Sequence, residues 1–273
     1  MNIFNFRSNP RPNYQKIQYS FSSDFLSRDV IYDIYWQKIR YSNHEAHLIL
    51  MNDGQDGENL ELLKTLNKLH DKRALTPLIV VGIHANDNRI NEYGTAFSCD
   101  YKGRGNKAGL YTKFIMNELI PQLRKELKVE HFKEKSFLGW SLGALSAMDI
   151  VWNYPHEFQK AGLFSPSFWW RRKGYENGYQ DQKDRLMQLQ VKYGRHYPWL
   201  EFFFECGAFD ETSDRNNNGV IDSIDDCLDI IKELKKLGFK NDQINYVELA
   251  DGRHDLETWK KVLPFFFEWG FKS

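Results

Sequence analysis

The chain has 273 residues, enough to bury one large core and a common size for a single α/β domain. Its 37 lysines and arginines match 37 aspartates and glutamates, so no net charge draws it to nucleic acid or an anionic membrane; a small-molecule partner is expected. With 41% apolar residues it is not a disordered chain, and three scattered cysteines (Cys99, Cys206, Cys227) argue against a disulfide framework or a zinc site.

In chain order, residues 1–16 are polar, contain Pro10 and Pro12, and lack an apolar signal core. Nothing later is long enough to span a bilayer, so the expectation is an extended amino-terminal segment on a cytoplasmic protein, or a secreted one if a signal has been trimmed. Two alternating runs, Ile17–Phe21 and Val30–Tyr35, predict an antiparallel pair at a sheet edge. The apolar runs Ala46–Met51 and Leu78–Gly82 read as strands covered on both faces, with a helix from about Leu60 to His70 between them. Residues 83–110 are polar and glycine-rich, an excursion expected to wall a cleft. The apolar spacing from Leu110 to Leu127 is helical, with a kink expected at Pro121. A strand then ends at Phe137-Leu138-Gly139-Trp140-Ser141-Leu142-Gly143, and a helix follows to about Tyr154. Further strands are expected at Ala161–Phe164, Leu200–Cys206 and Asn245–Leu249, with helices at Ser223–Leu237 and from Leu256 to an interruption at Pro264. Residues 171–198 are polar with scattered aromatics, a possible lid. The alternation predicts one α/β domain: a mainly parallel central sheet with helices on both faces and an antiparallel amino-terminal edge.

In such sheets chemistry collects at the carboxyl ends of the strands. Gly139-x-Ser141-x-Gly143 between strand and helix has the form of a nucleophile elbow, in which a sharp turn lifts a serine hydroxyl clear of the sheet. An alcohol needs an adjacent imidazole to take its proton, and the imidazole needs a carboxylate to fix its tautomer. His254 follows the last strand, and Asp210 follows the one before it, giving the order Ser, Asp, His used by α/β-hydrolases. Glu205 and Glu211 lie close to Asp210 and are alternatives for the acid. The N–H of Leu142, next after the serine, is one oxyanion donor. The N–H of Gln55, in the turn Asp53-Gly54-Gln55, is assigned as the other.

The chain resembles the putative-esterase family of α/β-hydrolases, which includes esterase D, feruloyl esterases, enterobactin-type siderophore esterases and mycolyltransferases. The resemblance is carried by Asp53-Gly54-Gln55, Val81-Gly82-Ile83 leading to Asn91-Glu92-Tyr93, Glu118-Leu119-Ile120-Pro121 and the elbow. Phe164-Ser165-Pro166-Ser167-Phe168-Trp169, Cys206-Gly207-Ala208-Phe209-Asp210 and Gly252-Arg253-His254-Asp255 complete it. It implies a carboxylic-ester hydrolase working through an acyl-serine, with Ser141 as nucleophile, His254 as base, Asp210 as its partner, and Gln55 and Leu142 as oxyanion donors. The siderophore esterases can work with a Ser-His pair and little help from an acid. Ala144 departs from the second glycine that many members carry there, a change of packing.

Trp140, Trp169 and Trp170 are candidate substrate-binding aromatics, suited to a flat or sugar-bearing ester. A second pattern runs from Asp214 to Asp225. Oxygen side chains at Asp214, Asn216, Asn218, Asp222 and Asp225, the carbonyl of Val220, and Gly219 at the sixth place match a calcium loop of EF-hand or dockerin type. The ion is expected to be structural and weakly held, and no cofactor is expected for catalysis. Two other functions fit the same pattern: an acyltransferase, and a non-catalytic, calcium-supported binding module.

Overall fold

The computed structural model describes residues 13–38 and 45–273. Residues 1–12, which make up most of the expected amino-terminal extension, lie outside the described residues. The first strand, β1 (Tyr14–Ser23), already includes residues 14–16. It pairs antiparallel with β2 (Arg28–Gln37), whose Val30, Tyr32 and Ile34 face the core. The remaining strands are β3 (His47–Met51), β4 (Leu78–Ile83), β5 (Lys135–Trp140), β6 (Lys160–Phe164), β7 (Glu201–Phe209) and β8 (Ile244–Arg253). They form one eight-stranded sheet in the order β1-β2-β4-β3-β5-β6-β7-β8, parallel from β4 through β8.

Successive residues on the central strands enter opposite cores, which is why these strands read as unbroken apolar runs rather than alternating ones. Leu48, Leu50, Ile79, Val81, Phe137, Phe202 and Phe204 join the core on one face, and Ile49, Met51, Leu78, Val80, Leu138 and Phe203 join the other. The second face is covered by α1 (Leu62–Asp71) and α9 (Leu256–Phe271). The first is covered by α3 (Ala108–Phe114), α4 (Ile120–Leu127), α5 (Leu142–Asn153), α7 (Leu186–Lys192) and α8 (Asp222–Leu237), with two single-turn helices, α2 (Arg89–Glu92) and α6 (Asp181–Asp184), in the connections. Among the described residues no helix is long and apolar enough to cross a membrane.

Two prolines act differently from one another. Pro121 falls at the start of α4, and the segment just before it, Ile115–Leu119, winds as a π-helix between α3 and α4. The proline has no N–H to give and its ring crowds the carbonyl one turn back, so the chain takes up one extra residue there. Pro264, by contrast, does not interrupt α9. The buried stripe Val262, Leu263, Phe266, Phe267 and Phe271 holds the helix continuous at the loss of one backbone hydrogen bond.

α8 is bounded by charge and by glycine. Asp222 and Asp225 sit in its first turn and Lys235 and Lys236 in its last, each complementing the helix dipole, and Gly238 closes it at φ 107°.

Candidate active site

The elbow forms where β5 meets α5. Ser141 takes φ 55° and ψ −126°, a backbone state that costs a non-glycine residue about 1–3 kcal/mol and persists only where packing enforces it. The enforcement comes from two glycines. A Cβ on Gly139 would lie 2.5 Å from the Gly143 carbonyl carbon, and one on Gly143 would lie 2.8 Å from Asp53 Oδ2. Ser141 Oγ stands 3.5 Å from Ser167 Oγ.

The turn after β3 is clamped against this elbow. Asn52 Nδ2 donates to the Gly143 carbonyl at 2.7 Å, and Tyr111 OH donates to Asn52 Oδ1 at 2.6 Å. Asp53 is left-handed (φ 55°), and its N–H donates to Tyr93 OH. Its carboxylate accepts two bonds from the Arg89 guanidinium, at 2.6 and 2.7 Å. A Cβ on Gly54 would collide with the Gly82–Ile83 backbone, so only glycine lets this turn lie against β4. Gln55 and Leu142 therefore sit on two turns bonded to each other through Asn52 and Gly143. Gln55, Asp53, Asp56, Arg89, Trp140, Ser141, His254, Asp255, Leu256, Glu257 and Trp259 line one open cavity of about 570 Å³.

β7 and β8 deliver the other two side chains. Phe209 and Arg253 are register partners across this parallel pair, so the next residue on each strand, Asp210 and His254, leaves the sheet side by side. The two line a smaller cavity of about 200 Å³ with Ser165, Ser167, Trp169, Glu211 and Ser223. His254 thus borders both cavities. Its ring meets the Trp259 indole edge-on, with centroids 5.3 Å apart at 81°. Burial lowers its pKa below the usual histidine value, against an opposing pull from Asp210. Burial raises the Asp210 pKa, opposed by the Gly207 backbone, Ser165 and His254. Neither Asp210 carboxylate oxygen has a hydrogen-bond partner among the described residues.

The two glutamates near Asp210 are placed differently. Glu205 is sealed inside β7, and burial followed by the charge of Asp210 pushes its pKa up to about 8, so it is largely neutral at pH 7. Its neighbour is Ser165 Oγ, 3.4 Å from Oε2, which itself accepts the Trp259 indole N–H at 2.9 Å. Glu211 is half-buried on the smaller cavity, with its pKa raised by burial.

Of the three candidate tryptophans, Trp140 lines the larger cavity and Trp169 the smaller. Trp170 is in neither. It is fully buried, packed on Gly94 and Gly105, with the Arg104 guanidinium 5.1 Å from its ring. An apolar ring following a strand end is as easily core as cleft, and here the glycine-rich excursion of residues 83–110 closes over it. That excursion also supplies Arg89. Residues 171–198 carry α6 and α7 and are tied to α8 by charge: the buried Arg185 pairs with Asp226 and Asp229, and Arg215 pairs with Asp181, Asp222 and Asp226.

The loop from Asp214 to Asp225 turns at Gly219 (φ 83°). Asp214 accepts the N–H groups of Asn218 and Gly219, and Asn218 Oδ1 accepts that of Val220. The Asn216 and Asn218 amides converge on Asp225 at 2.8 Å each. Asp222 does not join them: its carboxylate accepts the Arg215 N–H at 2.8 Å and pairs with the guanidinium at 3.3 Å. No group of three His, Cys, Asp or Glu side chains among the described residues is gathered as a metal cluster. The Asn216 and Asn218 amides present their NH2 groups to Asp225 and their oxygens to backbone N–H groups, so binding an ion there would require both amides to turn.

Sequence reasoning named Ser141, His254 and Asp210 but gave no role to Asn52, Arg89, Ser165, Ser167 or Trp259. These act through backbone turns and register, for which the sequence offers no spacing signal.

Comparison with known proteins agrees with this architecture. The family model described as "Putative esterase" matches residues 32–266. A curated relative, the Bacillus subtilis (strain 168) "Uncharacterized protein YbbA", is 24% identical over 197 residues, covering 70% of this chain and 72% of its own length. Among solved structures, a ferulic acid esterase superposes with TM-score 0.70 at 15% identity, covering 94% of this chain and 97% of that one. The Shigella flexneri enterobactin esterase superposes with TM-score 0.72 at 18% identity; 95% of this chain is covered but only 59% of that enzyme, so this chain spans little more than half its length. An IroE-like serine hydrolase from Shewanella oneidensis gives 0.68 at 19%, covering 94% and 79%. The chain belongs to the putative-esterase family and is a carboxylic-ester hydrolase with the α/β-hydrolase fold.

Proposed function

We propose that the protein hydrolyses a small-molecule ester through an acyl-serine, with Ser141, His254 and Asp210 acting as a triad. The observation that supports this reading is His254, which lines the cavity holding Ser141 and, through the strand register, follows β8 beside Asp210 at the end of β7. Two structural neighbours bear the names ferulic acid esterase and enterobactin esterase, which supports an ester as substrate.

Ser141 Oγ attacks the ester carbonyl while His254 takes its proton. The lowered pKa of His254 keeps the imidazole neutral, and so competent as a base, at neutral pH. Negative charge develops on the carbonyl oxygen, which the N–H groups of Leu142 and Gln55 stabilise. Collapse expels the alcohol, protonated by His254, and leaves the acyl-serine. Water then attacks with His254 again as base and releases the acid. Asp210 holds the imidazole and stabilises its charged form; catalytic hydrogen bonds of this kind often tighten only with substrate in place. Glu205, neutral and sealed off, does not take that role.

The test is pre-steady-state hydrolysis of p-nitrophenyl butyrate. A burst of p-nitrophenol equal to the enzyme concentration, absent in Ser141→Ala, is the expected result; turnover that survives that substitution would remove the reading.

We further propose that Asp214, Asn216, Asn218, Asp225 and the Val220 carbonyl hold a calcium ion that stiffens the loop following Asp210. With Asp222 committed to Arg215, the site should be weak, with a dissociation constant on the order of 10⁻⁵ to 10⁻³ M.

A further inference from the structure

The cavity around Ser141 and His254 is bordered by one arginine and four carboxylates: Arg89 against Asp53, Asp56, Asp255 and Glu257. Ion pairing divides them. Arg89 neutralises Asp53 through two bonds, and Lys260 pairs with Glu257 at 2.8 Å. Asp56 and Asp255 have no ion-pair partner among the described residues. Asp255 caps α9 by accepting the Thr258 N–H at 2.9 Å, which leaves its charge in place. Two further cations nearby are turned elsewhere: the Arg253 guanidinium lies over the Phe209 ring at 5.5 Å, and Lys261 pairs with Asp251 at 2.9 Å. The rest of the wall, Trp140, Leu256 and Trp259, is apolar. The carboxylates around the space in which the substrate must sit therefore outnumber the cations, with Asp56 and Asp255 outside any ion pair and Arg89, already bonded to Asp53, offsetting Asp56 only at longer range.

We infer, resting on the serine-esterase reading, that this cavity selects esters whose substituent is neutral or cationic, and that Asp56 and Asp255 turn anionic esters away. A unit charge a few ångströms from a carboxylate near a protein surface changes affinity several-fold, and salt screens the effect.

Three p-nitrophenyl esters of similar size test this: the cationic 4-(trimethylammonio)butanoate, its uncharged isostere 5,5-dimethylhexanoate, and the anionic hemiglutarate. Each kcat/KM is divided by the rate of the same ester with hydroxide, which removes intrinsic reactivity. The expected order at about 10 mM ionic strength is cationic, then neutral, then anionic, with roughly 10- to 100-fold between the extremes. That ratio should shrink severalfold in 0.5 M sodium chloride, a readout needing no variant. Asp56→Asn and Asp255→Asn, which keep an amide oxygen for the existing bonds, should each lower the ratio roughly three- to tenfold. Glu257→Gln, whose charge Lys260 already offsets, should lower it less. Hydrolysis of all three at equal normalised rates, or fastest for the hemiglutarate, overturns the inference while leaving the esterase reading intact. No turnover of any of the three would sink both.

Discussion

At the residue scale the account rests on Ser141, and its removal should be specific. Ser141→Ala should lower kcat by roughly 10⁴- to 10⁶-fold with the melting temperature nearly unchanged, because the elbow is held by Gly139 and Gly143 and not by the hydroxyl. Parallel ester hydrolysis and thermal melts check both halves. With His254 as the proposed base, its titration should set the pH profile. Its pKa lies below the usual value, so its neutral form persists to lower pH. Activity should rise with pH along a limb centred below about 6.5 and level off above it. A limb centred above that value would contradict the placement of the ring. Glu205 makes a separate prediction about stability. Its pKa is raised to about 8 in the folded chain. Between the unfolded carboxyl value and that point the folded state binds the extra proton, so this residue's contribution to stability falls as pH rises from about 4.5 to 8. Glu205→Gln should therefore gain in melting temperature relative to the parent on going from pH 5 to pH 8, by a few degrees. An unchanged difference would mean that Glu205 is ionised in the fold.

Element by element, the sequence was informative where one local rule decides the outcome. Gly-x-Ser-x-Gly marked the elbow because neither glycine has room for a Cβ: one on Gly139 would meet the Gly143 backbone at 2.5 Å and one on Gly143 the Asp53 carboxylate at 2.8 Å. Asp53-Gly54-Gln55 marked the turn because Gly54 lies against Gly82. Gly54→Ala should accordingly destabilise the protein by about 2–4 kcal/mol and cut activity with it, as followed by denaturant melts and ester turnover. Trp170 shows where such rules stop. Its position after a strand end fits a cleft wall equally well, and only the packing of Gly94 and Gly105 across it decides for the core. Pro264 is a similar case, since the penalty of one proline is local while the seven buried side chains of α9 act together. The pairing of Asp53 with Arg89 could not be read either, for it depends on a left-handed turn meeting a single-turn helix 36 residues later. The loop after Asp210 offers one more test at this scale. Adding EDTA should lower the melting temperature by a few degrees and slow turnover, and terbium should show sensitised emission that calcium displaces at roughly 10⁻⁵ to 10⁻³ M. Identical melts with and without EDTA, and no terbium emission, would remove the ion.

For the whole molecule, the alternation of buried strands and helices was enough to anticipate the parallel sheet, because crossovers leave few other ways to cover both of its faces. The strand order was not legible, since it depends on which strand each helix returns beside. That order brings the ends of β5, β7 and β8 to one side of the sheet, where His254 shares one cavity with Ser141 and another with Asp210, although 113 residues separate Ser141 from His254. Treatment with a fluorophosphonate, followed by intact mass and peptide mapping, tests this convergence most directly. One adduct per chain, on Ser141, slowed at least a hundredfold in His254→Ala, is the result expected from a serine activated across that rim. No adduct, or one on Ser141 at a rate that ignores the loss of His254, would show that the two side chains do not work together.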